Sequence, residues 1–477
     1  MEHTLSTAQK ALQINLDLKK FGTFAEIGAG QEVARWFFHV GRASATVAKS
    51  ISAYDMAISD ELYGSSGRYV CRARLESMLT REFQQLERRI ATRPAQPRAE
   101  FVFADTVATR SRTHEGQGWM GVRFQAVPGG ETSELMIHFL MLDAEIVNQQ
   151  EAVGILGVNL IHGAFYFNQD PNLVLCSLMD GLNRRRIEVD MIKFSGPVFG
   201  DVDNRLMSLQ LVENGLTDAA MFTAAGEVVQ PSEVLYGKSV LIERGSFRPV
   251  TNVTLDMLER ARQQLGHDAP GADPVVLMEM TLNNLMSAKA VDHQDFLERV
   301  DLLGALGQMV MISNYARFDG VTGYLRRSTQ GPISMVIGVP TLLEIFEEKY
   351  YADLPGGMLQ GLGALFQGPV KLLIYPTKDS ASAELQTADS IAEADGERKL
   401  YCYLRDKGSI EPIREFDSVQ LHITPGDVLQ KLQAGDPQWR EMVPPQVAEI
   451  IDRRGLFTRK ADPAASLQTT TSLPTPS

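Results

Sequence analysis

The spacing of apolar positions divides the chain into regions with different predicted secondary structure. Residues 1–95 are predicted to be mainly helical, with helices over 31–38, around 43–56 and over 72–90. The last helix is the clearest of the three, because its apolar residues recur at helical spacing: Leu75, Met78, Leu79, Phe83 and Leu86. A break rich in proline follows over residues 91–98.

Short apolar runs separated by turn residues then replace the helical pattern. The runs 100–105, 118–127 and 134–143 predict antiparallel strands or a meander. Beyond them the pattern predicts helices over 149–167 and 172–182, strands over 187–194 and 218–223, and a hairpin turn over 224–227. Together with the helices before it, this region is predicted to form an N-terminal α+β domain over residues 1–235.

From residue 238 the pattern alternates between short apolar strands and amphipathic helices. Strands are predicted over 239–243, 274–279, 309–313, 333–337 and 370–375, and helices over 253–265, 293–306, 320–327 and 341–349. Strands that are apolar on both faces are typical of a parallel sheet covered by helices. A capping box, Thr341-Leu-Leu-Glu344, predicts that the last helix begins there. The region 236–380 is therefore predicted to be a Rossmann-like, doubly wound domain.

The remainder of the chain is predicted to be a linker and a small helical C-terminal extension over 381–460, with helices over 426–434 and 446–454. The Thr-, Ser- and Pro-rich tail 461–477 is predicted to be disordered. The fold class that follows is α/β: an α+β domain, a Rossmann-like parallel-sheet domain and a helical extension.

Composition and charge narrow the function classes. The chain has 477 residues, and 46 Lys and Arg against 59 Asp and Glu give a formal charge of −13. An acidic balance argues against sequence-independent binding to nucleic acid or to anionic membranes. It leaves small anionic ligands open, because these need only a local positive site.

Three separated cysteines, Cys71, Cys176 and Cys402, predict reduced thiols rather than a disulfide framework. The N-terminus lacks the pattern of a signal peptide, and no apolar run reaches the ~20 residues of a membrane helix, so a cytoplasmic protein is expected. The eight histidines show no metal-ligand spacing, and no metal ligands are predicted.

The segment from Ser239 to Ala261 carries the clearest chemical signal. It predicts a strand, a Gly-Ser-Phe-x-Pro turn and a helix. Gly245 and Ser246 fall at the carboxyl end of the strand, where ligands bind in open parallel sheets. Thr251 and Thr254 fall at the start of the helix, whose free N–H groups suit a phosphate. The alternative is a strand-to-helix turn with no ligand.

This segment resembles the first signature of nicotinamide/nicotinate mononucleotide adenylyltransferases, in the HxGH nucleotidyltransferase superfamily. That signature is Gly-Ser-Phe-Asn-Pro-x-Thr-x-x-His-Leu-x-x-x-Glu-x-Ala, and the matching positions are Gly245, Ser246, Phe247, Pro249, Thr251, Leu255, Glu259 and Ala261. Arg248 replaces the asparagine. Thr254 replaces the last histidine, which in the family contacts ATP phosphates and stabilises the transition state.

The family's second signature, Ile-Ser-Ser-Thr-x-x-Arg, is also altered. The corresponding segment, Tyr375 to Ser382, offers Thr377 and Lys378 but no arginine. The resemblance implies that Thr254, Arg248 and Lys378 would act in catalysis. Gly245, Ser246, Phe247, Thr251 and Thr377 would bind the nucleotide.

The whole chain also resembles a bacterial family of similar length, through residues 24–33, 51–56, 103–107 and 154–159. Within the first of these segments, Gly28-Ala-Gly-Gln31 is a weaker candidate for a phosphate-binding turn, because no clear strand is predicted before it.

The leading hypothesis is a nucleotide-binding protein with a diverged adenylyltransferase site. Its ligand would be ATP or an NAD-type nucleotide. If the site is active, it would transfer AMP from ATP to a mononucleotide and require Mg²⁺. The alternative hypothesis is an oligomeric scaffold or a nucleotide sensor without catalysis. A small nucleotide ligand is the expected partner, a homo-oligomer is allowed, and neither nucleic acid nor membrane is expected.

Overall fold

A computed structural model describes residues 4–90, 97–112, 114–268, 273–287, 290–378, 384–391 and 398–458. The chain forms two compact units, residues 1–220 and 221–477. The predicted domain limits at 235, 380 and 460 stay predictions. The predicted break at 91–98 falls mostly outside the described residues, and the predicted disordered tail falls wholly outside them. None of the described helices is long and apolar enough to cross a bilayer.

The first unit consists of one sheet with helices on its faces. Its described helices are α1 (Thr7–Leu16), α2 (Glu32–His39), α3 (Met56–Tyr63), α4 (Arg72–Ile90), α5 (Ile146–Tyr166), α6 (Pro171–Leu178) and α7 (Asn204–Glu213). Its strands are β1 (Lys20–Gly28), β2 (Val47–Ala53), β3 (Ala99–Ala108), β4 (Gly116–Gln125), β5 (Thr132–Met141) and β6 (Ile187–Ser195). Their order in the sheet is β2-β1-β3-β4-β5-β6.

The sheet is parallel at one end and antiparallel at the other. β1 pairs in parallel with both β2 and β3, whereas β3 to β6 follow one another as an antiparallel meander. The meander and the helix α4 confirm the sequence prediction. The expectation of a mainly helical region before residue 95 is wrong at β1 and β2. β1 is buried on both faces but includes Lys20, Thr23 and Glu26, so its sequence forms neither a continuous apolar run nor a period-two alternation.

The second unit is built around a larger sheet. Its described strands are β7 (Ala219–Phe222, which spans the boundary between the units), β8 (Val228–Val229), β9 (Val240–Arg244), β10 (Val275–Thr281), β11 (Met286–Ser287), β12 (Ala290–Val291), β13 (Met309–Ser313), β14 (Ile333–Gly338), β15 (Val370–Tyr375), β16 (Thr377–Lys378), β17 (Leu385–Gln386) and β18 (Ile410–Pro412). The strand order in the main sheet is β18-β15-β14-β9-β10-β13-β7-β8.

Its described helices are α8 (Pro231–Leu235), α9 (Asn252–Asp268), α10 (Leu282–Leu285), α11 (His293–Ala305), α12 (Phe318–Arg326), α13 (Val339–Ile345), α14 (Gly357–Leu365), α15 (Ala388–Ile391), α16 (Arg398–Asp406), α17 (Pro425–Ala434) and α18 (Pro445–Arg454). The main-sheet strands β9, β10, β13, β14 and β15 alternate with helices and pair in parallel, as the sequence predicts. The short strands β11 and β12 form a separate antiparallel pair.

Two predictions in this unit need correction. The helix α13 begins at Val339 rather than Thr341, with Gly338 as its N-cap and Pro340 in its first turn, so Thr341 and Glu344 do not form a capping box. The region after 380 is not wholly helical, because β18 pairs in parallel with β15 and extends the sheet. Three residues are too few to give a strand pattern in the sequence.

Candidate functional site

The strand order of the second unit contains a topological switch point at β9. From β9 the chain moves to β10 and β13 on one side and then returns to β14 and β15 on the other. Ligands of open α/β sheets bind beyond the carboxyl ends of the strands at such a point. The turn that leaves β9 here is the Gly245–Thr251 segment, and the helix α9 follows it.

The beginning of this turn packs on itself. The Gly245 N–H donates to the Glu279 carbonyl, 3.0 Å away on β10. A Cβ on Gly245 would lie 2.9 Å from the ring of Phe247, so glycine is required here by the aromatic ring. That ring is buried, and Phe247 has a φ of +47°, which is unfavourable for a residue other than glycine. Phe247 therefore anchors the turn from within the core.

Two arginines and one aspartate support the same turn. Arg248 Nε lies 2.6 Å from Asp295 Oδ1, and Arg299 also pairs with Asp295. Arg299 donates from one nitrogen to the carbonyl of Ser246, at 2.9 Å. Burial lowers the pKa of Arg299, and the neighbouring Asp295 opposes that shift. Asp292 adds a second, more distant carboxylate that also acts on Arg299.

Thr251 and Thr254 lie together at the start of α9. The Thr254 N–H donates to Thr251 Oγ1 at 3.3 Å, and the two hydroxyl oxygens are 3.1 Å apart. Both side chains are buried. Thr251 is thus the N-cap of α9. Its hydroxyl already accepts from one of the N–H groups that were predicted to bind a phosphate.

Thr377 and Lys378 follow the last central strand, at the same edge of the sheet. The Thr377 methyl group packs close to Gly338, which ends β14. Lys378 is exposed and donates from Nζ to the Ser418 carbonyl at 3.2 Å. The structure therefore places the predicted residues of both signatures at the carboxyl ends of β9 and β15, and their roles in binding or catalysis stay predictions.

Acidic residues on β9 and β10 were not predicted from the sequence. Glu243 is buried, its Oε2 has no partner among the described residues, and desolvation raises its pKa well above the ordinary value. On the opposite face Arg244 donates to both carboxylate oxygens of Glu279, at 2.9 and 2.8 Å. Arg244 also stacks on the ring of Phe318, 4.2 Å from its centroid.

A polar groove of about 980 Å³ lies beside the first turn of α9. Asn252, the first residue of α9, lines it and donates to the Glu441 carbonyl at 2.9 Å. The other walls come from the loop 417–423 and the segment 427–442. The groove is thus continuous with the start of α9, and sequence reasoning gave no sign of it.

In the first unit the Gly28–Gln31 turn follows a strand, β1, and precedes α2. Its candidate phosphate position is already filled, because Glu26 Oε1 accepts from the N–H groups of Val33 and Ala34, at 3.0 and 3.3 Å. These are N–H groups of the first turn of α2. The chain's own carboxyl group takes the place that an anion would need.

A second buried carboxyl lies next to Glu26. Asp105 is its register partner on β3, and neither carboxyl oxygen of Asp105 has a partner among the described residues. A Cβ on Gly30 would lie 2.0 Å from Asp105 Oδ1, so the turn closes directly over this group. Desolvation, and then the charge of Glu26, raise the pKa of Asp105 well above its ordinary value. Desolvation raises that of Glu26 to about 8.

Comparisons with known proteins give only a weak structural likeness. No family model matches the chain, and no curated protein matches it. Among solved structures it is similar to the competence/damage-inducible protein CihA from Agrobacterium tumefaciens, with 15% identity and a TM-score of 0.26 over 34% of this chain and 97% of that chain. A competence or damage-inducible protein from Enterobacter asburiae gives 15% identity and a TM-score of 0.24, over 34% and 98%.

A Vibrio parahaemolyticus protein provisionally named a nicotinate-nucleotide adenylyltransferase gives 14% identity and a TM-score of 0.25 over 47% of this chain and 98% of that chain. Likeness at this level carries no argument about ligand or activity, so function has to be argued from the site itself.

Proposed function

We propose that the second unit binds a nucleotide at the carboxyl end of β9, with its phosphates at the start of α9. The observation that carries this proposal is the position of the Gly245–Thr251 turn at the topological switch point of the sheet. A helix N-terminus directly after such a turn favours an anion, through its remaining N–H groups and its dipole.

The charge around the turn supports the proposal. Arg248 and Arg299 share the single carboxylate of Asp295. Two guanidinium groups therefore lie at the turn, in a chain whose overall charge is −13. The left-handed backbone of Phe247 adds to this support, because conformations of this cost persist where the surrounding structure enforces them, often at functional sites.

Transfer of AMP from ATP to a mononucleotide is the finer proposal. In it Thr254 would donate to a phosphate, and Arg248 and Lys378 would stabilise developing negative charge. Mg²⁺ would enter with the phosphates of ATP, because no three His, Cys, Asp or Glu side chains of the described residues converge as metal ligands.

A nucleotide sensor that binds without transfer is the second candidate. It is favoured by the partners that all three catalytic candidates already have: Asp295 for Arg248, Thr251 for Thr254 and the Ser418 carbonyl for Lys378. A homo-oligomer stays a prediction under either function.

Thermal unfolding of the full chain with ATP, nicotinamide mononucleotide, nicotinate mononucleotide or NAD, each with and without Mg²⁺, tests the binding. A ligand at 100 times its Kd should stabilise the folded protein by about 2.7 kcal/mol. Lys378→Ala should weaken severalfold the binding of whichever of these phosphate-bearing ligands stabilises the wild type, and so reduce that stabilisation. Lys407→Ala, which removes an exposed lysine after α16, is the matched control and should not.

No shift with any of the four ligands at millimolar concentration would refute nucleotide binding. A shift without Mg²⁺-dependent release of pyrophosphate would reject transfer and leave the sensor.

A further inference from the structure

The groove beside α9 has the size of a ligand site. Its volume of about 980 Å³ is at the upper end of the range for small-molecule pockets. Asn252 belongs both to the groove wall and to the first turn of α9. A nucleotide with its phosphates at that turn would therefore direct the rest of the molecule toward this groove.

One wall of the groove carries a hydrogen-bond acceptor without a donor. Gln420 donates from Nε2 to Asp417 Oδ2 at 2.8 Å, which fixes the orientation of its amide. Its Oε1 is buried, and none of the described residues donates to it. A flipped amide would bring two oxygens together at Asp417, so the unpartnered atom is the oxygen. A buried acceptor without a donor is unfavourable, and a ligand N–H would relieve that cost.

The charge of the groove also favours a ligand that donates a hydrogen bond. Its lining includes four carboxylate side chains, those of Asp417, Asp427, Asp436 and Glu441, against a single lysine, Lys431. That lysine is already paired with Asp436, at 3.0 Å. A further negative charge in the groove would be repelled, and an uncharged or cationic donor would not.

We propose that this groove receives the end of the ligand that is remote from the phosphates, and that it selects an uncharged hydrogen-bond donor, such as a carboxamide, over a carboxylate. The inference rests on the proposed function, because the phosphates must sit at α9 for the groove to be reached.

Nicotinamide mononucleotide and nicotinate mononucleotide are a matched pair of probes, since they differ only in a carboxamide against a carboxylate. Calorimetric titration of the full chain at low ionic strength should give at least about tenfold tighter binding of the amide. Added salt should shrink the part of this difference that comes from charge repulsion.

Two variants separate the contributions. Gln420→Met keeps the size of the side chain and removes the acceptor. It should weaken the binding of nicotinamide mononucleotide and leave the binding of nicotinate mononucleotide unchanged. Asp427→Asn with Glu441→Gln should make the binding of nicotinate mononucleotide severalfold tighter. The matched control, Asp406→Asn with Glu449→Gln, removes two exposed charges that do not line the groove and should change neither.

Equal binding of both mononucleotides, or tighter binding of the carboxylate, would overturn the inference and leave the proposed function in place. Binding of ATP with neither mononucleotide would also overturn it. Binding of none of the nucleotides would remove the proposed function and the inference together.

Discussion

Replacing Asp105 by asparagine tests whether the buried carboxyl of β3 is uncharged in the folded protein. The substitution keeps the shape of the side chain and removes its proton. Asp105 is fully buried beside Glu26, its oxygens have no partners among the described residues, and burial raises its pKa. The structure holds no cation against it among the described residues, so the protonated form is the stable one.

The expected magnitude follows from proton linkage. An acid whose pKa is raised by folding binds more protons in the folded than in the unfolded state. Its contribution to the free energy of unfolding is therefore present below its unfolded pKa of about 3.9 and decreases as the pH rises toward its folded pKa. In that window one such group lowers the free energy of unfolding by about 1.4 kcal/mol for each pH unit. Asparagine does not titrate, so the free energy of unfolding of the variant should rise by this amount relative to that of the wild type for each pH unit.

Above about pH 5 the gain should grow by up to about 1.4 kcal/mol per pH unit until the folded-state pKa of Asp105 is reached. Near pH 5 the two proteins should differ by only about 1–2 kcal/mol, because asparagine also buries polar atoms that lack partners. Glu26, whose pKa is raised to about 8, interacts with Asp105, so the two carboxyls titrate together and the difference between the proteins reports on the pair.

Urea unfolding at several pH values, followed by tryptophan fluorescence, measures this difference. A Trp439→Phe background leaves Trp36 and Trp119, both in the first unit, as the reporters. Glu145→Gln, which removes an exposed carboxyl of the same unit, is the control and should show no trend with pH. A difference between Asp105→Asn and the wild type that stays constant from pH 5 to pH 8 would mean that Asp105 is charged in the folded state, and the reasoning would be wrong.

Substitutions at three positions test the second unit by chemical unfolding followed by the fluorescence of its tryptophan, Trp439. Arg244→Lys should lower the free energy of unfolding by about 2 kcal/mol, because lysine cannot bond both oxygens of Glu279. No loss would mean that the pair adds nothing to stability. Gly245→Ala should cost about 1–3 kcal/mol through its contact with the Phe247 ring, and an unchanged midpoint would contradict that packing. Thr251→Ala should cost about 1 kcal/mol whereas Thr251→Ser should cost little, since only alanine removes the cap of α9; equal losses would argue against the cap.

The sequence predicted those parts of the fold in which apolar residues recur at helical spacing or form an uninterrupted short run. α4 shows a helical period and was predicted with its observed ends, Arg72 and Ile90. β13 and β15, short apolar runs between helices, were likewise predicted with their observed ends. β1 was missed because Lys20, Thr23 and Glu26 interrupt its apolar residues. β2 was missed because its covered positions include Lys49, which hides the alternation of burial along the strand. Both were therefore assigned to a region expected to be helical.

The candidate site was predicted only as far as it is local in sequence. The turn at Gly245 and the cap at Thr251 lie within one segment, and their order along the chain is enough to place them at the end of a strand. The pairing of Arg248 with Asp295 joins residues 47 positions apart, and the groove brings Asn252 next to a segment near residue 441. Such contacts depend on the path of the chain through the sheet, which no pattern within a segment encodes.

The two strand-to-helix turns of this chain differ in what fills the start of the helix, and that difference decides where a nucleotide is proposed. At α2 the carboxyl group of Glu26 accepts from two consecutive N–H groups, so an incoming phosphate would have to displace a buried acid. At α9 the bond from the Thr254 N–H is to the neutral hydroxyl of Thr251, and two arginines lie behind the turn. A phosphate would have to displace the Glu26 carboxyl at the first turn, whereas two guanidinium groups lie near the second, so the same local geometry favours an anion only at α9.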